Sequence, residues 1–206
     1  MSAEVDGGVT DGRRNIGVAF GLPEPYNREL QGWRDRLGDP NANRIVPHIT
    51  LLPPTEVRSE RLSDIEEHLR KVAADEEPFE IQLRGSASFL PVSPVVFVPL
   101  VMGIADCERI ESKVRSGPLR RELRFPYHPH VTVAHDLPAE ALDQAFATLA
   151  GYEAAFGVRG FTLFEQGPDA TWRPQRDFVF GGGGLPGPAG RPLLPPETPL
   201  DTDGGW

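Results

Sequence analysis

A chain of 206 residues is long enough for one domain of ordinary size, or for two small lobes sharing an interface. Its net charge is −9, of which −6 falls between the segments 1–15 and 181–206; this argues against binding along an extended nucleic-acid backbone, DNA included, and leaves room for a small nucleotide or an RNA end held by a few local arginines. Cys107 is the single cysteine, so an intramolecular disulfide is excluded and a thiolate metal site disfavoured, and with no signal peptide or membrane span in view a cytoplasmic monomer without a membrane partner is expected.

Residues 1–13 are polar and without apolar periodicity, and are read as a disordered segment. The run 16–22 is a first strand, stopped by Pro23 and Pro25. Tyr26, Leu30, Trp33 and Leu37 then recur on one face of a helix that Gly38 and Pro40 end. A strand over 44–52 follows, with Pro53-Pro54 as its expected stop. Leu62, Ile65, Leu69 and Val72 predict a second helix over 59–74, and the alternation at 79–83 and the apolar run 95–101 predict two strands. Ile104, Cys107, Ile110 and Val114 mark a third helix, followed by an arginine-rich link (Arg120, Arg121, Arg124) into a motif strand. Leu142, Phe146 and Leu149 mark a fourth helix, and 156–163 and 177–180 are the last two strands. The final stretch from 183 is rich in Gly and Pro and reads as a tail dispensable for folding and turnover. The mixture of hairpins and helices, with strand–helix–strand units in both halves, favours an α+β fold over residues 14–182.

The chemistry concentrates in two runs, Pro47-His48-Ile49-Thr50-Leu51 and Pro129-His130-Val131-Thr132-Val133. Five His and nine Thr in this length give roughly 0.2 chance His-x-Thr triplets, and the chain has two, each after a proline and each interleaved with apolar residues. On a strand, residues two apart share a face, so each His stands beside its Thr while the apolar pair turns to the core. A lone strand histidine is ordinarily structural. Two matched copies 82 residues apart, one per half, point instead to a pair of imidazoles flanking one substrate atom, one acting as base and the other as acid, with Thr hydroxyls and a nearby Arg stabilising charge on a phosphoryl centre.

These paired runs, in this order of strands and helices, resemble the 2H phosphoesterase superfamily, and within it the 2′-5′ RNA ligase / RNA 2′,3′-cyclic phosphodiesterase branch. The resemblance implies a bilobal, pseudo-symmetric α+β fold with two antiparallel sheets around a central cleft and helices outside. It implies His48, Thr50, His130 and Thr132 as catalytic positions and a phosphodiesterase that needs no metal or other cofactor. It further implies a small nucleotide or RNA end bearing a cyclic phosphate as substrate, with 2′-5′ ligation as the reverse reaction.

Several neighbours are candidates for holding that substrate. Arg44 and Arg124 can neutralise phosphate, as can Arg121; His128 shares the face of His130; Tyr127 and Trp172 can stack on a base, Trp172 from a loop without core periodicity. Phe89 is expected in the core, His135 is expected to leave the site because its parity is opposite to that of His130, and His68 is expected in solvent. The two catalytic imidazoles are expected about 5–8 Å apart, with His130 as base and His48 as acid. Two other readings stand beside this one: a metal site on the histidines at 48, 128, 130 and 135, against which stands the lack of a carboxylate at ligand spacing, and a non-catalytic nucleotide-binding module of the same fold.

Overall fold

The computed structural model describes residues 12–182. The tail from 183, and the N-terminal segment except Gly12 and Arg13, lie outside the described residues. In chain order the elements are β1 (Arg13–Gly21), α1 (Tyr26–Leu37), β2 (His48–Arg58), α2 (Leu62–Ala74), β3 (Phe79–Arg84), β4 (Ala87–Ser88), β5 (Val95–Met102), α3 (Ile104–Val114), β6 (His130–His135), α4 (Ala139–Leu149), β7 (Glu153–Val158), β8 (Gly160–Gln166) and β9 (Trp172–Val179). They build an α+β fold in which a curled antiparallel sheet carries its helices on the outside.

The strand order is β7-β3-β5-β6-β2-β1-β8-β9, with β4 pairing on β5. Two four-stranded antiparallel halves therefore meet edge to edge at β6 and β2, the two motif strands. The register across this seam is a single pair, Ile49 opposite Val131. Both side chains are fully buried in the main core, and burying a Val or Ile contributes roughly 1.5–3 kcal/mol, so packing beneath the seam holds it more than ladder hydrogen bonds do. The helices reinforce the joint crosswise. α1, which connects β1 to β2, lies against β6, and α3, which connects β5 to β6, lies against β2.

The sequence dictates these elements locally. The apolar face of α1 docks on the core, and Gly38 takes the left-handed conformation at its end, its N–H reaching the carbonyls of Arg34 and Asp35. The structure departs from expectation at five places. Arg13, at the end of the segment read as disordered, already opens β1 and pairs with Arg58. Arg44 lies in a turn, and β2 begins only at His48. Pro53-Pro54 do not end that strand: the register between β1 and β2 slips there, with Ile16 opposite Thr55 and Val18 opposite Leu52. The prolines thus sit in a bulge where a missing N–H costs no ladder bond, and pairing resumes beyond them. The run 156–163 is not one strand, because the chain passes at Arg159 from β7 in one half to β8 in the other. Trp172 opens β9 rather than standing in a loop, so three strands follow α4 where two were expected.

Candidate active site

The seam register fixes the heart of the site. With Ile49 opposite Val131 in antiparallel pairing, His48 stands opposite Thr132 and Thr50 opposite His130. Alternating burial on both strands puts all four on one face, away from the core. The two motifs are thereby crossed: each histidine faces the threonine of the other. Directly opposed residues in such a ladder have Cβ atoms about 4.5–5.5 Å apart and diagonal neighbours lie about 7–8 Å apart, and the two histidines are such a diagonal pair.

Both imidazoles are held by the same device. His48 Nδ1 lies 2.8 Å from the Val46 carbonyl and His130 Nδ1 lies 2.6 Å from the His128 carbonyl. A carbonyl only accepts, so each Nδ1 carries the proton and donates it, and each neutral ring presents a bare Nε2. In both cases the acceptor is two residues upstream, across the proline of the motif. The sequence thus sets the tautomer as well as the position.

The surroundings of the two rings differ. Beside His48 lies Arg34, only 4% exposed, whose Nε donates to Asp39 at 2.8 Å and whose Nη1 donates to the Ile45 carbonyl. Burial, with the charge of Arg34 and the neighbouring His130, pushes His48 from 6.5 down to about 4, against the opposing pull of the Val46 carbonyl. His130 is instead walled by rings. Phe89 stands edge-on at 5.1 Å, Phe97 at 4.9 Å, and His128 is stacked 6.2 Å away. Burial lowers His130 as well, opposed by its bond to the His128 carbonyl.

A cavity of about 340 Å³ opens on the His48 side, lined by His48, Thr50 and Thr132 and reaching Arg34, Arg44 and Trp172. His130 stands just beyond this lining, one strand across from Thr50. Arg124, Tyr127 and His128 do not line it either. Arg124 is exposed and lies over the Phe125 ring. The Tyr127 hydroxyl donates to the Thr50 carbonyl at 3.0 Å and its ring packs on the core, so it straps β2 in place and is no stacking platform. Arg121 donates to the Thr55 hydroxyl rather than facing the site.

His135 reverses its expectation. It lines the cavity, because β6 carries a bulge: Phe97 pairs with Thr132, but Val96 pairs with Ala134, leaving Val133 as the extra residue. One inserted residue resets the alternation and brings His135 back to the face of His130 and Thr132. Phe89 belongs with His130 rather than with the core alone. His68 is half-buried, and its Nε2 donates to the Val114 carbonyl at 3.2 Å. Arg34 carried no signal in the sequence beyond its place in the last turn of a helix, yet its charge acts on the histidine of the first motif. Among the described residues, no group of three His, Cys, Asp or Glu side chains is placed to hold a metal ion, and no helix is long and apolar enough to cross a membrane.

A curled sheet that crosses two His-x-Thr pairs at its central seam defines a 2H phosphoesterase. Residues 22–170 match the sequence pattern of the 2′-5′ RNA ligase superfamily, and the chain belongs to that family. Two relatives, each named as a candidate phosphoesterase, are 31% identical over 167 residues in Oceanobacillus iheyensis (80% of this chain, 97% of the relative) and 29% identical over 168 residues in Geobacillus kaustophilus (81% and 96%). Among solved structures, E. coli LigT with 3′-AMP superposes with a TM-score of 0.63 at 20% identity, over 82% of this chain and 98% of LigT. LigT with NADP+ gives 0.62 at 21%, over 82% and 99%. At this identity the structural likeness establishes the fold. Family and named relatives together support a phosphoesterase activity.

Proposed function

We propose that this chain is a metal-independent phosphodiesterase that opens 2′,3′-cyclic phosphates on small nucleotides or RNA ends. The observation that carries this reading is the crossed pair of imidazoles with both Nδ1 protons committed to backbone carbonyls. The two rings then stand as diagonal neighbours on one face of the seam, His48 in the cavity lining and His130 just beyond it, each with Nε2 free to exchange a proton on either side of a bound phosphorus. His48, kept neutral by burial and Arg34, takes a proton from water as the water oxygen bonds to phosphorus. The bond from phosphorus to one ribose oxygen breaks, and protonated His130 delivers its Nε2 proton to that leaving oxygen, giving a phosphomonoester. This reverses the assignment expected from sequence, since the ring beside the guanidinium is the poorer proton donor at rest. The hydroxyls of Thr50 and Thr132 and the Arg34 guanidinium receive the charge that builds on the phosphoryl oxygens. A 5′-hydroxyl in place of water gives 2′-5′ ligation by the same route. The 2′-oxygen is a reacting atom, so DNA is no substrate. Solved complexes of E. coli LigT with 3′-AMP, NADP+ and ATP support a nucleotide ligand for this fold.

The test is a turnover screen of nucleoside 2′,3′-cyclic phosphates, cyclic-phosphate RNA ends and 2′-5′-linked dinucleotides in excess chelator. Hydrolysis of the cyclic phosphates with an undiminished rate in chelator is expected. Binding without turnover of any of them would sink the catalytic reading and leave a nucleotide-binding module.

A further inference from the structure

The cavity does not stop at the reacting centre. Its floor runs from β2 across β1, where Ala19 pairs with Thr50, toward the β8–β9 hairpin. Gly17 of β1 has no side chain, and a Cβ there would lie 3.3 Å from the Trp172 ring and 3.3 Å from the Leu52 carbonyl oxygen. The indole thus covers β1, one strand spacing of about 4.8 Å from the strand that carries His48.

Arg44 stands beside that indole. Its carbonyl accepts the backbone N–H of Trp172 at 2.8 Å, and its own backbone N–H donates to the Asn41 carbonyl at 2.9 Å, so its backbone is fixed from both sides. Arg44 is exposed, is among the residues that line the cavity, and makes no ion pair with any described residue. The one carboxylate in the lining, Asp39, is occupied by Arg34 Nε and by the Asn41 N–H, each at 2.8 Å. An unopposed cation therefore stands at the cavity in a chain of net charge −9, where a local positive potential draws in an anion.

Along the cavity the acid–base centre is followed by a flat indole and, from a turn with a fixed backbone, an exposed arginine. In a ribonucleotide the 2′,3′ edge of the sugar lies at one end, and the base and the 5′ group leave from the other. We infer that Arg44 forms a second anion subsite for the phosphoryl group on the 5′ side of the nucleotide being opened, with the base over Trp172. The substrate class is then a 5′-phosphorylated ribonucleotide cyclic phosphate, in preference to the bare nucleoside cyclic phosphate. This rests on the phosphodiesterase reading for its chemistry, though not for its binding.

Calorimetric titration with adenosine 3′,5′-bisphosphate and with 3′-AMP reads the subsite without turnover. The bisphosphate is expected to bind the wild-type protein about tenfold or more tightly, the worth of one charge-assisted contact. That ratio is expected to collapse toward one in Arg44→Gln and to shrink as salt is raised. A wild-type ratio near one, a ratio that survives Arg44→Gln, or no binding of the bisphosphate overturns the subsite. In parallel, kcat/KM is compared for adenosine 2′,3′-cyclic phosphate, its 5′-phosphate and a dinucleotide ending in the cyclic phosphate. A gain for the 5′-phosphate alone assigns the subsite to a monoester, and an equal gain for the dinucleotide assigns it to an RNA terminus. If nothing turns over while the binding ratio holds, the catalytic reading fails and the subsite stands.

Discussion

The two ends of the seam carry the same five-residue device and different walls. His48 faces a buried guanidinium, its carboxylate and an open cavity; His130 faces Phe89, Phe97 and His128. Backbone geometry made the two imidazoles alike in tautomer and direction. What surrounds them made them unlike in proton affinity. A duplicated motif therefore gives two positions, and the neighbours drawn from other parts of the chain set them apart; in the proposed reaction that difference makes one the base and the other the acid.

The largest effect expected from breaking this pairing comes from the rings themselves. Either His48→Ala or His130→Ala is expected to lower kcat by about 10²–10⁴, the worth of a positioned acid or base. Thr50→Ala or Thr132→Ala lowers it less, because the other donors remain. Steady-state turnover of a 2′,3′-cyclic nucleotide measures all four, and a His48→Ala enzyme as fast as wild type would remove that residue from the chemistry.

Taking away the polar wall is the next largest change. Arg34→Met leaves Asp39, whose side chain is 2% exposed, as an unpaired buried charge. Destabilisation of about 3–5 kcal/mol is expected in urea unfolding. Restoring neutrality with Asp39→Asn in the same chain is expected to recover much of it.

A pH series sharpens the contrast without mutation. The base must be unprotonated, so kcat/KM falls in acid as His48 takes a proton near pH 4. The acid must be protonated, so kcat/KM falls again as pH rises through the lowered value of His130. The optimum is therefore expected on the acid side of neutrality. Stability follows the same group: folded His48 refuses a proton that the unfolded chain accepts below 6.5, so the fold loses stability as pH falls from about 6.5 toward 4. His48→Asn is expected to flatten that slope in chemical unfolding measured across this window.

The smallest expected effect lies at the aromatic wall. Phe89→Ala removes an edge contact to His130 and a ring pair with Phe97 at 4.2 Å, costing about 0.5–1.5 kcal/mol in stability beyond the lost area. Readmitted water relieves the burial of His130, so the alkaline limb of kcat/KM is expected to move toward 6.5. A limb that stays in place would mean that Phe97 and His128 set the environment alone.

The motif strands and the helices were legible because each is a local pattern. His-x-Thr with alternating apolar partners declares a face, and Tyr26, Leu30, Trp33 and Leu37 declare a helix. What escaped depends on partners distant in sequence. The parity that excluded His135 fails at a bulge that exists only because Val96 pairs with Ala134. Pro53-Pro54 looked terminal until β1 supplied a register slip to hold them. Tyr127 looked like a platform because nothing local shows that its hydroxyl ties down the Thr50 carbonyl. Arg34 was not singled out at all, because its burial and its bond to Asp39 appear only once α1 is laid against β6.

The strand order also has a consequence in time. β1 is bounded on one side by β2 and on the other by β8, with Ile16 opposite Glu165. During synthesis the first motif and its helix emerge early, yet the strand that closes the far edge of β1 is made only after the second motif and α4. At about 5–20 residues per second the ribosome needs on the order of ten seconds or more to bridge that interval. For that period β1 presents an open edge, the kind of surface that invites pairing with another chain. The cavity beside His48 is complete only once the last hairpin arrives, because Phe164, Gln166 and Trp172 form part of its wall.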